Sequence, residues 1–99
     1  MKKLPPVTSG EILSEDFLKP MEISAYRLAK DIHVPLTRIT AILQGQRGIT
    51  ADTGLRLDRY FGLSEGYWMR IQLDCDLRDA KRRLGKQIAE ITPRDLAAA

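Results

Sequence analysis

Residues 23–45 constrain the fold of this chain most strongly, because they predict two short helices joined by a tight turn. Ser24 can cap the first of these helices with its hydroxyl oxygen. Pro35 can begin the second helix, where its missing N–H costs nothing, and Gly45 can end that helix in a left-handed conformation. Helices this short cannot bury enough surface alone, so they must pack against neighbouring elements.

Apolar residues recur at helical spacing in both of these predicted helices. The residues expected to face inward are Leu28, Ala29 and Ile32 in the first helix and Ile39, Ile42 and Leu43 in the second. The opposite face of the second helix is then free for a partner. This organisation is that of a helix-turn-helix, whose second helix enters the DNA major groove.

The composition fits one folded domain. The chain has 99 residues, of which 43% are hydrophobic, and this is typical of a globular rather than a disordered protein. No apolar run approaches the roughly 18 residues of a membrane span, and no apolar segment follows the N-terminal lysines, so we expect no signal peptide. The single cysteine, Cys75, excludes an internal disulfide. We therefore expect a cytoplasmic protein.

Five helices and no convincing strand before residue 86 predict an all-α bundle. The first helix is predicted over residues 10–18, with Ser9 as its cap and Pro20 closing it. The fourth helix is predicted over residues 50–62 and the fifth over residues 64–84, with Gly85 as its stop. Residues 86–91 fit either a helical extension or a short strand. The apolar contacts expected from the fourth helix are Ala51, Leu55, Leu57, Tyr60 and Phe61.

The fifth helix is predicted to carry two apolar faces at about 100° per residue. One face holds Trp68, Ile71 and Cys75. The other face, which we call the seam, consists of Leu73, Leu77, Ala80 and Leu84. A domain of this size covers only one face, so the seam is predicted to meet a second copy of the chain in a two-fold dimer. The alternatives are that the segment from Gln87 folds back over the seam or that a foreign partner covers it.

The total charge of the chain is a weak indicator of a nucleic-acid partner, and the distribution of charge along the chain is a better one. The net charge is +3, and no carboxylate lies between Asp31 and Asp52, a window that contains Arg38 and Arg47. Such a window over the second helix of a helix-turn-helix suits a surface that faces phosphates. The alternative is that the gap arises by chance.

The outward residues of the second helix supply the predicted DNA contacts. The predicted base-contacting residues are Leu36, Thr37, Arg38, Thr40 and Ala41. The predicted backbone-contacting residues, which lie at helix ends, are Ser24, Ala25, Arg27, Gln44, Gln46 and Arg47. Arg38 can read guanine or pair with phosphate, and we slightly favour phosphate. For each polar residue the alternative is a merely solvated side chain.

The residues that could support catalysis do not form a site in the sequence. The only histidine, His33, lies at the predicted turn, and Cys75 lies on an apolar helix face. The three carboxylates Asp74, Asp76 and Asp79 alternate with basic residues, which is typical of a charged surface. No glycine-rich phosphate loop is present. We therefore expect no enzyme activity and no metal site.

Several segments of the chain share motifs with one known family. They are residues 10–13 (Gly-Glu-Ile-Leu), 17–20 (Phe-Leu-Lys-Pro), 38–53 (Arg-Ile-Thr-Ala-Ile-Leu-Gln-Gly-Gln-Arg-Gly-Ile-Thr-Ala-Asp-Thr) and 59–62 (Arg-Tyr-Phe-Gly), together with Trp68. They resemble HigA-type, also called VapI-type, antitoxins of the XRE or lambda-repressor-like class. The chain departs from that family by carrying His33 where the turn usually has glycine and Thr8-Ser9 where it usually has His-Pro.

The resemblance implies a compact five-helix, lambda-repressor-like DNA-binding domain that acts in a bacterial type II toxin–antitoxin system. Such antitoxins neutralise a HigB-type toxin, a ribosome-dependent mRNA endonuclease, and as homodimers they bind operator double-stranded DNA and repress their own operon. No cofactor and no membrane partner is implied. The alternatives are a free-standing helix-turn-helix transcriptional regulator without a toxin and a helical interaction module that has lost DNA binding.

The same reasoning predicts three parts of the chain. Residues 1–8 form an N-terminal arm. Residues 9–84 form the helix-turn-helix domain, which includes the dimerisation helix 64–84. Residues 85–99 form a C-terminal tail.

Overall fold

A computed structural model describes residues 7–95, which fold into five helices without a strand within that range. They are α1 (residues 9–21), α2 (Ala25–Ile32), α3 (Leu36–Leu43), α4 (Ala51–Tyr60) and α5 (Tyr67–Ala89). The all-α prediction is confirmed. Most of the predicted N-terminal arm and the last four residues of the predicted tail lie outside the described residues. No helix between residues 7 and 95 is long and apolar enough to cross a membrane.

Helix α1 is longer than predicted and contains a π-helical turn at Leu13–Leu18. Thr8, and not Ser9, caps it, because the Thr8 hydroxyl accepts the Glu11 N–H at 3.1 Å. Pro20 does not close the helix, which continues to Met21. The wider π turn ends two residues before the proline, whose ring would meet a carbonyl of the preceding turn in a regular α-helix.

The α2–α3 pair forms with the predicted turn between its helices. The Ser24 hydroxyl caps α2 by accepting the Arg27 N–H at 3.0 Å. His33 occupies the turn with a left-handed φ of 62°, the backbone conformation that favours glycine. Pro35 precedes α3 instead of beginning it, because its ψ of 143° is extended. Gly45 follows α3 with a left-handed φ of 74°, as predicted.

Helix α4 begins one residue after its predicted start at Thr50 and ends at Tyr60, two residues before the predicted stop at Gly62. Its inward face also differs from the expected one. Ala51 is exposed, and the Leu55 side chain is 47% exposed, whereas Leu57 is fully buried. Residues two apart on a helix point to opposite sides, so Leu55 and Leu57 cannot both face the core. Asp58 shares the buried side with Leu57.

Helix α5 begins later and ends later than predicted. Residues 64–66 form a turn, and Gly66 with a φ of 93° precedes the first helical residue, Tyr67. Gly85 does not stop the helix, which continues to Ala89 and so confirms the helical alternative for residues 86–89. A glycine inside an exposed helix costs only about 1 kcal/mol. Ion pairs of Asp79 with Arg82 and Arg83, one turn earlier, support the helix there.

The core lies where the first four helices meet the beginning of α5. Its fully buried side chains are Leu13, Leu28, Ile39, Ile42, Leu57 and Trp68. The Phe17 ring lies 5.0 Å from the Trp68 ring and 4.8 Å from the Phe61 ring, between centroids. These aromatic contacts tie α1 to α5 and to the end of α4.

A buried carboxylate also anchors α5. Asp58, which is 3% exposed, accepts the Gly66 N–H at 2.9 Å and the Trp68 N–H at 3.1 Å. Gly66 directly precedes α5 and Trp68 lies in its first turn, where the N–H groups have no partner within the helix. The contact satisfies these groups and fixes where α5 leaves the core.

Candidate nucleic-acid interface

Helix α3 has one face in the core and one face in solvent. The side chains of Ile39 and Ile42 are 0% exposed, and Leu43 is half-buried. Leu36 is 41% exposed, and Thr37 beside it is exposed as well. The predicted division of this helix into an anchored side and a free side is therefore confirmed.

The five predicted base-contacting residues lie on this free side or at its border. Leu36 and Thr37 are the most accessible, whereas Arg38, Thr40 and Ala41 are half-buried. The Thr40 hydroxyl donates to the Thr37 carbonyl at 3.1 Å. Its proton is thus used within the helix, and its oxygen can still accept a hydrogen bond.

Arg38 lies close to Asp52, the carboxylate that ends the stretch of sequence without acidic residues. The Nη1 atom of Arg38 lies 3.7 Å from Asp52 Oδ1, and Nε of Arg56 lies 2.6 Å from the same oxygen. Arg56 Nη1 in turn donates to the Ile32 carbonyl at 2.9 Å. The hydrogen bond from Arg56 is the main cause that lowers the pKa of Asp52. The absence of carboxylates between Asp31 and Asp52 in the sequence therefore does not leave the surface around Arg38 free of carboxylates.

The predicted backbone-contacting residues form two groups at the ends of α2 and α3. At the start of α2, Ser24 and Arg27 are exposed and Ala25 is half-buried. The Ser24 hydroxyl already caps the helix, and Arg27 Nε lies 3.1 Å from Asp31 Oδ2. Asp31 also accepts a hydrogen bond from the Tyr60 hydroxyl at 2.7 Å, which is the main cause of its lowered pKa.

After α3, Gln44, Gln46 and Arg47 are exposed. Arg47 forms no ion pair with any residue between 7 and 95. Its charge is consequently less neutralised than those of Arg27 and Arg38. Of the three arginines that the sequence assigned to DNA, Arg47 is the one best suited to attract a phosphate.

Two residues near this surface were not predicted from the sequence. Tyr26 is 64% exposed between Ala25 and Arg27. Gln72 on α5 accepts hydrogen bonds from the Ser9 hydroxyl at 2.6 Å and from the Ile49 N–H at 2.7 Å. One signal for Gln72 was available, because it lies four residues after Trp68 and therefore on the inward face of α5.

The seam is accessible in the single chain. Leu73 is 57% exposed and Leu77 is 53% exposed, while Ala80 and Leu84 are half-buried. Residues 87–95 do not fold back over the seam, because they continue α5 to Ala89 and are exposed. On the opposite face Trp68 is buried, and burial raises the pKa of the half-buried Cys75 thiol, which keeps it weakly nucleophilic.

The acidic residues of α5 belong to a charged surface, as predicted. Asp74 lies 3.3 Å from Arg78, and Asp79 lies 2.9 Å from both Arg82 and Arg83. In the part of the chain that the structure describes, no group of three histidine, cysteine or acidic side chains is arranged to hold a metal ion.

Comparisons with known proteins find relatives that span most of the chain. The chain is 50% identical over 80 residues to Virulence-associated protein I of Dichelobacter nodosus, a match that covers 81% of this chain and 74% of that protein. It is 30% identical over 88 residues to the antitoxin HigA-1 of Vibrio cholerae, covering 89% of this chain and 83% of that protein.

A solved structure, the Pseudomonas aeruginosa antitoxin HigA with the higBA promoter, is similar with a TM-score of 0.84 and 41% identity. That similarity covers 90% of this chain and 98% of the solved chain. No protein-family model matches the chain.

Proposed function

Because this chain belongs to the HigA family of antitoxins, we propose that it is the DNA-binding antitoxin of a type II toxin–antitoxin system. As a homodimer it binds operator double-stranded DNA and represses its own operon, and it neutralises a HigB-type mRNA endonuclease. Its relatives are DNA-binding antitoxins rather than enzymes, and we assign it no catalytic residue. Such a repressor acts where its operon lies, which is the cytoplasm.

The observation that carries this proposal is the geometry of α3. Ile39 and Ile42 lock one side of the helix into the core, while Leu36 and Thr37 stand free on the other side. A helix that is anchored on one side can enter the major groove and bring the side chains of its free side to base edges. The same arrangement would have little use in a helix that only fills the core.

We assign the base-edge contacts to Leu36, Thr37, Arg38, Thr40 and Ala41. Thr37 suits a hydrogen bond to a base edge, and Leu36 and Ala41 suit thymine methyl groups. The backbone contacts fall to Ser24, Ala25, Arg27, Gln44, Gln46 and Arg47, which lie at helix ends.

The dimer forms along the seam, Leu73, Leu77, Ala80 and Leu84. Burying a leucine contributes roughly 1.5–3 kcal/mol before ordering costs, so a pair of seams supports a two-fold dimer. Residues 9–84 then form the DNA-binding and dimerisation domain, with an arm at 1–8 and a tail at 85–99. A dimer presents two α3 helices to half-sites about 34 Å apart.

Mobility shifts with the DNA directly upstream of the gene test the DNA-binding half of the proposal. Loss of a base-reading side chain by Thr37→Ala costs roughly 1–3 kcal/mol on the operator and little on unrelated DNA. Arg47→Ala removes a phosphate contact, so it weakens binding to the operator and to unrelated DNA alike. It also reduces the slope of log affinity against log salt concentration by about one. Arg38→Ala shows which of these two patterns Arg38 follows.

Two exposed residues away from α3 serve as matched controls. Thr92→Ala removes a threonine beyond α5, and Arg59→Ala removes an arginine that lines a groove beside the end of α2. Both should bind the operator as the unchanged protein does. Unaltered operator affinity in Thr37→Ala and Arg38→Ala together would mean that α3 is not the DNA-reading helix.

The toxin half of the proposal is tested by purifying the protein from its native host. We expect a small basic nuclease to co-purify and to lose activity when this protein is added back. Operator binding without such a partner, and without a small neighbouring reading frame, would instead identify a free-standing transcriptional regulator.

A further inference from the structure

We propose that Gln72 is a positioning residue that holds the DNA-reading module at a fixed angle to the dimer seam and so sets the half-site spacing that the dimer accepts. The inference rests on the proposed function, because it requires a dimer that binds an operator. Gln72 itself is assigned no contact with DNA.

The Gln72 amide joins three separate parts of the fold. Its Oε1 atom accepts hydrogen bonds from the Ser9 hydroxyl at 2.6 Å and from the Ile49 N–H at 2.7 Å. Its Nε2 atom donates to Asp76 Oδ1 at 2.8 Å. Because oxygen and nitrogen of the amide have chemically distinct partners, only one orientation of the side chain satisfies all three contacts.

The loop after α3 is packed directly against this amide. A Cβ atom added to Gly48 would lie 2.9 Å from Gln72 Nε2 and 3.0 Å from its Cδ atom. The next residue, Ile49, is 2% exposed, so its N–H has little access to water. Losing the Gln72 acceptor therefore leaves a buried donor unpaired and frees the loop to shift.

The position of Gln72 makes it a link between α3 and the seam. Helix α3 packs mainly on α1 and α2, whereas α5 packs mainly on α4. Gln72 bonds to the first residue of α1 and to the loop that leaves α3. On α5 it directly precedes Leu73, and its partner Asp76 directly precedes Leu77.

Half-site spacing reports the angle between α3 and the dimer axis. In a two-fold dimer each α3 must meet the major groove at a separation of about one helical turn of DNA. Adding or removing one base pair rotates a half-site by about 34° and moves it by about 3.4 Å. If Gln72 holds α3 rigidly relative to the seam, a change of one base pair in half-site spacing lowers the affinity for the operator. If that link is loosened, the dimer adapts and the affinity falls less.

The experiment compares operators with altered spacing. Footprinting of the upstream DNA locates the half-sites, and probes then carry the natural spacing or one base pair more or less. We expect the unchanged protein to prefer its natural spacing about tenfold, and Gln72→Leu to narrow this preference to about threefold or less. Gln87→Leu, the same substitution at an exposed position of α5, should keep the full preference.

A second variant and a DNA-free measurement guard against misfolding. Gly48 has no positive φ, so Gly48→Ala suits the backbone while its methyl group displaces the Gln72 amide. It should narrow the spacing preference as well. In Gln72→Leu the Ile49 amide should exchange with deuterium about tenfold faster, because its acceptor is gone.

The outcomes separate the two proposals. If the unchanged protein binds no upstream DNA, the proposed function fails and this inference fails with it. If the unchanged protein binds, and folded, dimeric Gln72→Leu and Gly48→Ala proteins keep the tenfold preference, only the inference is overturned. A uniform loss of affinity at every spacing would make Gln72 merely structural and would also overturn it.

Discussion

Replacing Gly10 by alanine tests how closely α1 is seated on α3. Gly10 is buried, and a Cβ atom at its position would lie 1.8 Å from the carbonyl oxygen of Ile42 and 2.7 Å from the carbonyl carbon. Ordinary contacts to a Cβ atom begin near 3.4 Å. Both obstructing atoms belong to the backbone of α3, so no side chain can rotate away.

The cost of Gly10→Ala follows from these contacts. Relieving the overlap requires α1 to move by about 1.5 Å, and overpacking of this kind costs about 3 kcal/mol. The Ile42 carbonyl also accepts the Gly45 N–H at 3.0 Å, and disturbing that hydrogen bond costs about 1 kcal/mol. Alanine regains about 1 kcal/mol through its higher helix propensity. The net loss in the free energy of unfolding is therefore about 3 kcal/mol.

Urea unfolding followed by circular dichroism at one protein concentration measures this loss. Gly85→Ala is the matched control, because Gly85 is also helical but its added Cβ would have no atom of residues 7–95 within 4 Å apart from its chain neighbours and the nearby backbone of its own helix. It should increase the free energy of unfolding by about 0.5–1 kcal/mol. A Gly10→Ala protein as stable as the unchanged one would show that α1 and α3 are not in this contact.

Three further substitutions have expected outcomes. His33→Gly should raise the free energy of unfolding by about 1 kcal/mol, because glycine adopts the left-handed conformation of the turn freely. A lower melting temperature would refute this. Tyr60→Phe removes the hydrogen bond that lowers the pKa of Asp31. That lowered pKa stabilises the fold above the ordinary carboxyl range and loses its effect as pH falls, so acid titration should show a shallower decline in the variant. Leu77→Glu should yield a folded monomer with weak operator binding, and a persistent dimer in light scattering would exclude the seam.

Features that depend on neighbouring residues could be predicted from the sequence. The cap at Ser24 and the left-handed residue at Gly45 follow from the chemistry of single residues beside a periodic helix. The buried and free sides of α3 follow from its period of 3.6 residues. The family resemblance then supplied the function, which periodicity alone does not contain.

Features that depend on distant residues could not be predicted in this way. The contacts of Asp52 with Arg38 and of Gln72 with Ser9 join parts of the chain that only folding brings together. Pro20 lies inside a helix, two residues after a π turn, and no local pattern signals that turn. The contacts assigned to DNA remain predictions, since they depend on a partner as well as on the fold.

The burial of Trp68 gives the protein an intrinsic fluorophore at an informative place. It is the only tryptophan, it is 0% exposed at the beginning of α5, and its indole N–H has no hydrogen-bond acceptor among residues 7–95. An indole in such apolar surroundings emits at short wavelength, and its emission moves to the red when water reaches it. Trp68 fluorescence therefore distinguishes dissociation of a dimer, in which the indole stays buried, from detachment of α5 from the other helices, in which water reaches the indole.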